Sequence, residues 1–330
     1  MRFALPLWIA PKSLRLLSSY GLIISITTKG FQTMVNELDG PGPFGPVVNG
    51  TQIVFYHYRP NGGAGWAFLV IFALGALAHL GNMFWLRAWH FIPFILGGIG
   101  IIGEAFGYYG RAKAHENPIV AGPYILQNLL ILGSPPLFAA TIYMSLGRIM
   151  IALDLRRHAF VSPRLTAFFY VLIDVGCFVT QVFGAVMPAS GTAEGIRMGK
   201  TLIMSGLAAQ LGVITLFVLS CWHSHACARR EANDLNATKA GIEWRKYYLM
   251  TYGIASLMFL RSLIRGIEYF QGENGYIMSH EIFLYLFDAV PMVAIMAMYL
   301  WIHPGRLVRD VGRVKSYTWP DEANIMLEGR

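Results

Sequence analysis

Residues 261–288 read RSLIRGIEYFQGENGYIMSHEIFLYLFD, and the rest of the chain is organised around them. The stretch carries two arginines, four acids and a histidine inside an otherwise very apolar sequence. Taken as helix, loop and helix, it spaces its charges regularly. Arg261, Arg265 and Glu268 fall at i, i+4 and i+7, which is one face of a helix, and Glu281, Tyr285 and Asp288 repeat the pattern on the next. If both helices cross a bilayer, each charge is costly and belongs in the bundle interior, paired or wet.

Composition favours the bilayer. Of 330 residues, 55% are hydrophobic and 13% charged, where a soluble domain is about a quarter charged. Seven apolar runs follow one another: 66–86, 89–109, 123–151, 165–188, 198–222, 247–267 and 281–302. Each is near the roughly twenty residues a spanning helix needs, so the expectation is an all-α polytopic membrane protein, a seven-transmembrane-helix bundle. Pro135-Pro136 should kink the third helix by removing two backbone donors. The net charge of +8 comes mainly from loops between the runs, which argues for membrane topology and against nucleic acid. Basic residues concentrate in loops that face the cytoplasm if the amino terminus is outside and the carboxyl terminus is cytoplasmic. Trp66, Trp85, Trp89 and Trp222 sit at span ends, as interface anchors do.

Outside the spans, residues 1–33 hold two short apolar patches split by Pro6, Pro11, Lys12 and Arg15. They read as an amino-terminal extension, either a gene-model artefact or a signal-like segment. Residues 34–65 are a Gly/Pro-rich extracellular lead-in with a glycosylation sequon at Asn49. Residues 66–303 form the membrane domain, and 304–330 a basic cytoplasmic tail. Cys177, Cys221 and Cys227 give no disulfide framework; Cys221 and Cys227 are either inert thiols or acylation sites.

Helix by helix, the intramembrane polar residues converge. Glu104, Tyr108 and Arg111 share a face of the second helix; Gln127 and Arg148 lie on the third, Asp174 and Gln181 on the fourth, and Gln210 on the fifth. The expected substrate-binding set is Glu104, Asp174, Gln181, Arg261, Arg265, Glu268, Glu281, Tyr285 and Asp288. Tyr108, Arg111, Gln127, Arg148 and Gln210 would form a structural polar network. Two readings stand side by side. The charges could cancel as buried ion pairs that fix helix order, or form a chamber for a ligand headgroup. Acids outnumber nearby arginines, which suits a cationic amphiphile. His79 and Asn82 read as interhelical hydrogen-bonding groups.

Catalysis finds little support. Eight of nine histidines fall in loops, tails or helix ends, so no metal-ligand set is apparent. There is no Gly-x-Ser-x-Gly, His-Glu-x-x-His or Walker loop, and nothing calls for a cofactor. The partners expected are membrane lipids and amphiphilic small molecules.

Ordered motifs add a resemblance. They are Gly107-Tyr108-Tyr109-Gly110-Arg111; Pro123-Tyr124-Ile125-Leu126-Gln127; 137–144 (LFAATIYM) leading to Leu146-Gly147-Arg148; Asp174 to Gln181 with Gly184; Gly206-Leu207 with Gln210; and Arg261 through Asp288. Over about 56–303 this set resembles the fungal lipid-translocating exporter (RTA-like) family. Cys177 stands where a serine is usual, and Phe183-Gly184-Ala185 replaces a more glycine-rich turn. The resemblance implies a plasma-membrane or vacuolar protein that moves sphingoid bases or other amphiphiles and contributes to resistance against toxic lipophilic compounds. A seven-helix receptor or membrane-stress sensor is the alternative it leaves open.

Overall fold

A computed structural model describes residues 43–45, 47–48, 51–52, 54–95, 103–155, 162–187, 192–231, 241–272 and 275–313. The amino-terminal extension, Asn49 and the end of the basic tail lie outside the described residues. Ahead of the helices the chain makes one small antiparallel hairpin, β1 (Val47–Val48) with β2 (Thr51–Gln52). The pairing resumes below the hairpin, where Phe44 N–H donates to Tyr56 C=O at 2.7 Å and Phe55 N–H to Phe44 C=O at 2.8 Å. The sequence pattern, rich in Gly and Pro, gave no sign of these strands.

Seven helices follow among the described residues. Helix α1 is Gly62–Leu86, begun by an Asn61 side chain that accepts from Ala64 N–H and ended by Arg87 in the left-handed region, φ 51°. After a 3-10 turn at Trp89–Phe91, α2 runs Glu104–Glu116. Then come α3 (Ala121–Ala152), α4 (Pro163–Val186) and α5 (Ala193–Arg230). Ser162 and Thr192 cap α4 and α5 through their side-chain oxygens. Helix α6 is Arg245–Gln271. The last span, α7, has three pieces: α-helix Glu281–Leu284, π-helix Tyr285–Ala289 and α-helix Val290–Trp301. Among the described residues five helical stretches are long and apolar enough to cross a membrane: Gly62–Leu86, Ala121–Ala152, Pro163–Val186, Glu194–Arg230 and Glu281–Arg313. The protein is therefore an all-α integral membrane protein.

Helix bounds differ from the apolar runs in instructive ways. Helix α5 begins before its run and continues to Arg230, because polar residues propagate a helix that the apolar run has already nucleated. Helix α3 continues through Pro135 and Pro136. Within α7, Val290 N–H reaches the C=O of Tyr285, one residue beyond the usual partner. Pro291 follows at once and has no N–H to give.

Consecutive helices are neighbours, α7 closes the ring against α1 and α6, and α3 also touches α6. The core holds Phe72, Phe91, Phe94, Phe138, Tyr248, Met292 and Tyr299. Leu77, Phe168, Trp222, Leu249 and Trp301 cover the outer surface, as a lipid-facing ring requires. The α4–α5 contact is close because it is built on glycines. A Cβ on Gly184 would meet Gly199 C=O and Ile203 Cγ1, each at 2.7 Å, and one on Gly206 would meet the Cys177 C=O at 3.0 Å. Gly184→Ala is expected to lower thermal stability in detergent by about 1–3 kcal/mol. Gly176→Ala, whose Cβ meets nothing within 4 Å, is the control and should melt as the unaltered protein does.

Candidate functional site

Arg261, Arg265, Glu268, Glu281 and Asp288 come together at the end of the bundle where α6 passes to α7, and they form two layers. The deeper layer centres on Asp288, which is buried in the π-helical piece of α7. Arg261 Nη2 stands 2.5 Å from Asp288 Oδ1, and Arg265 Nη2 donates to Oδ2 at 3.2 Å. Arg265 Nη1 also donates to Glu268 Oε2 at 3.1 Å. The helical spacing of Arg261, Arg265 and Glu268 thus presents one continuous ionic face to α7.

Pro135 contributes to this layer through what it lacks. In a regular helix its N–H would bond the C=O of Ile131, four residues back. That freed carbonyl accepts Arg261 Nη2 at 3.0 Å and Ser134 Oγ at 3.3 Å. The proline leaves an acceptor inside the helix ladder, and a buried guanidinium takes it.

Glu104 completes the deeper layer from α2. It is fully buried, and its Oε1 accepts from Ser134 Oγ. Its Oε2 has no hydrogen-bond partner among the described residues, nor do Tyr108 Oη and Arg261 Nε. Glu104 lies twelve residues, roughly 18 Å, from the α2 terminus at Glu116. Across both layers four carboxyls (Glu104, Glu268, Glu281, Asp288) meet three guanidiniums (Arg111, Arg261, Arg265). Three of the carboxyls are in ion pairs. Glu104 makes none among the described residues.

The shallower layer is gathered by Arg111, itself 1% exposed. Its Nη2 donates to Glu281 Oε1 at 2.7 Å and to Tyr58 Oη at 3.1 Å, its Nε to Tyr285 Oη at 3.0 Å, and its Nη1 to Gln127 Oε1 at 3.4 Å. The guanidinium also lies over the rings of Tyr58 and Tyr285, 5.7 and 5.3 Å from their centroids. Tyr285 Oη donates to Glu281 Oε1 at 2.7 Å. Tyr108 packs between the layers against Phe68 and Phe72. The π-turn separates the expected triad on α7: Glu281 and Tyr285 serve Arg111, whereas Asp288 serves Arg261 and Arg265.

Residues before α1 close over this layer. Asn61 N–H donates to Glu281 Oε1 at 2.8 Å, Tyr56 Oη to Gln127 Oε1 at 3.2 Å, and Arg59 Nε to His115 C=O at 3.1 Å. Phe55 stacks on Tyr124 at 4.4 Å. Burial raises the Tyr58 phenol above its ordinary value, so this hydroxyl stays neutral as it accepts from Arg111. The lead-in is therefore a strap tied to the helices by the same carboxylate that pairs with Arg111. Nothing in its Gly/Pro-rich sequence indicated this, although the tyrosines at 56 and 58 are the residues that do it.

Other expected members lie elsewhere. Asp174 faces α3, where Tyr143 Oη donates to its Oδ2 at 2.8 Å, because α4 sits on the far side of α3 from α7. Gln181 and Gln210 pair with each other across α4 and α5, Nε2 to Oε1 at 3.4 Å. Arg148 is not part of an internal network: it is exposed at the opposite end of the bundle, where a long charged side chain can reach water or headgroups. A separate cavity of about 310 Å3 on the flank of α2 and α3 is lined by Tyr109, Lys113, Glu116, Asn117 and Pro123, with Lys113 and Glu116 already paired at 3.1 Å.

Sequence position also concealed a histidine group. His79, His90 and His303 are all buried and pack around Phe91, with ring centroids 6.1, 5.0 and 4.2 Å from it. Two of them come from segments at helix ends. Among the described residues no three His, Cys, Asp or Glu side chains are arranged to hold a metal. Cys221 and Cys227 are buried, which disfavours acylation.

Two outcomes follow. Asp288→Asn leaves two buried guanidiniums short of a counter-charge and should destabilise the protein by about 3–5 kcal/mol. Thermal unfolding of Arg261→Met/Asp288→Leu should show a smaller loss, and an unchanged melt for Asp288→Asn contradicts the pairing. Glu281→Ala removes the acceptor for Asn61 N–H and the partner of Arg111. Hydrogen exchange read by mass spectrometry should then quicken across residues 54–61 and leave the α4–α5 contact protected.

Comparison with known proteins bears on most of the chain. It is 36% identical over 212 residues to Protoporphyrin uptake protein 1 of Saccharomyces cerevisiae, covering 62% of this chain and 65% of that protein. It is 28% identical over 274 residues to Protein RTA1 of the same yeast, covering 76% and 84%. It is 24% identical over 270 residues to the Sphingoid long-chain base transporter RSB1, covering 72% and 70%. The match spans slightly less than two thirds of the length of the first of these relatives. No solved structure matches. Residues 98–310 match the family described as RTA1 like protein, and these residues hold every helix from α2 to α7. The chain belongs to the RTA1-like family of membrane proteins.

Proposed function

We propose that this protein translocates amphiphiles across the membrane, and that it takes a cationic headgroup of the sphingoid-base type at the deeper charged layer. The observation that carries the reading is Glu104: a fully buried carboxyl with one oxygen unpartnered, in a cluster of four acids and three arginines. A primary ammonium is the complement of such a group, having three donors and one positive charge. Tyr108 Oη, also unpartnered, would accept a second of its hydrogens. The alkyl chain would follow the apolar helix faces. Arg261, Arg265 and Glu268 hold Asp288 in place, and Glu281 with Tyr285 holds the strap above.

Relatives support the class more than the cargo. One bears a sphingoid-base name and another a protoporphyrin name. Both substances are amphiphiles of low solubility, but protoporphyrin carries carboxylates, which Arg261 would suit better than Glu104. The excess carboxyl favours the cation. The proposed setting is the plasma membrane with the amino terminus outside, which fits Arg164, Arg229, Arg230, Arg245, Lys246 and Arg306 at the end opposite the strap. Export from there would contribute to tolerance of toxic lipophilic compounds.

Flux of labelled sphingoid base in liposomes containing the purified protein is the test. Glu104→Gln keeps the shape and the Ser134 bond and removes the charge. It should weaken flux at limiting substrate by roughly tenfold, the worth of one charge-assisted hydrogen bond, and unlabelled base should compete better than protoporphyrin. Normal flux in a folded Glu104→Gln protein contradicts the site, and saturable binding without movement favours a receptor.

A further inference from the structure

Asp174 stands apart from the cluster just described, and its surroundings are of another kind. It lies eleven residues, roughly 16 Å, from the start of α4 at Pro163 and about as far from its end at Val186. That is the middle of the span. Its side chain is 1% exposed. Tyr143 Oη donates to Oδ2, and Oδ1 has no partner among the described residues. Among the described residues no charged group bears on it. Helix α3 presents Tyr143, α4 itself presents Cys177 one turn on, and α5 presents Phe217 against the Tyr143 ring at 4.9 Å.

A carboxylate with one hydrogen bond and no counter-charge at mid-bilayer is among the costliest arrangements a membrane protein can hold. An ammonium ligand would relieve it but needs space, and tyrosine and phenylalanine rings pack closely about this site. A proton needs none. The groups beyond it are hydroxyl-bearing too. The Tyr143 ring packs on that of Tyr170, centroids 5.1 Å apart, and Tyr170 Oη shares a hydrogen bond with Ser220 Oγ at 2.8 Å across α4 and α5. Tyr170 lies one turn nearer the start of α4, on the side away from the strap.

We propose that Asp174 is a proton-binding site of the transport cycle, separate from the headgroup site and held by the Tyr143 hydroxyl. The inference rests on the translocator reading for its role in a cycle, but not for the site itself. The step is a simple exchange: the Asp174 O–H bond breaks, the proton passes to water, and the electron pair stays on the carboxylate until a proton returns. One proton moving against one monocationic headgroup leaves the charge of the membrane interior unchanged.

Infrared difference spectra of the purified protein, taken between acid and alkaline pH, test the site without any transport. The expected result is a carboxylic-acid carbonyl band that titrates, is absent in Asp174→Asn, and shifts in Tyr143→Phe, which removes the single hydrogen bond. A band that survives Asp174→Asn, or one that never titrates, overturns the proposal. The role is tested in the same liposomes by the ratio of sphingoid-base flux with and without a pH gradient. The unaltered protein should show a ratio above one, and Asp174→Asn should lose that dependence; a ratio that persists in the variant overturns the role. If no base moves in either protein, the translocator reading fails, and the infrared band still decides the proton site.

Discussion

Two guanidiniums on one helix and a carboxylate on the next hold the α6–α7 end of this bundle together. Asp288 is shared by Arg261 and Arg265, and each arginine has a second obligation: Arg261 to the carbonyl that Pro135 frees, and Arg265 to Glu268. A charge in a bilayer interior is costly unless it is matched. The π-turn at Tyr285–Ala289 places Asp288 for this role, since the extra residue turns it away from Glu281. Loss of any member strands the others, so the layer has little freedom to vary in parts.

From that constraint the arrangement around it follows. Glu104 enters the deeper layer from α2 and finds the guanidiniums already engaged. The shallower layer repeats the logic on Arg111, whose donors are divided among Glu281, Tyr285, Tyr58 and Gln127. Through Glu281 the strap is tied to the same ionic system. A headgroup arriving at Glu104 would alter the balance seen by Arg261 and Asp288, and a change at Arg111 would reach the strap. Binding and access are thereby coupled in the proposed cycle by shared side chains.

Much of the fold was legible because a bilayer imposes length and polarity on each span. Apolar runs overlap all seven helices, although the second run, 89–109, meets α2 (Glu104–Glu116) only at 104–109, and the face shared by Arg261, Arg265 and Glu268 follows from helical periodicity alone. What periodicity could not supply was the order of helices around the bundle. Asp174 was therefore expected in one binding set with Asp288, although α4 packs mainly on α3 and α5. Nor could it place a π-turn, which moved Asp288 off the face of Glu281. Pro135 was readable as a kink; its freed carbonyl became meaningful only when Arg261 was seen to reach it. Tyr56 and Tyr58 looked like loop residues because burial by a strap depends on contacts more than 50 positions away.

The central claim is that the unmatched carboxyl of Glu104 marks where an amphiphile's headgroup sits. A long-chain amine carrying a photoreactive group beside its nitrogen, cross-linked to the protein in a bilayer and mapped by mass spectrometry, addresses it directly. Labels on peptides bearing Tyr108, Ser134 and Arg261, suppressed by an excess of unlabelled amine, are the result the account predicts. Labels confined to lipid-facing residues such as Leu77, Phe168 and Trp222, and indifferent to competitor, would contradict it.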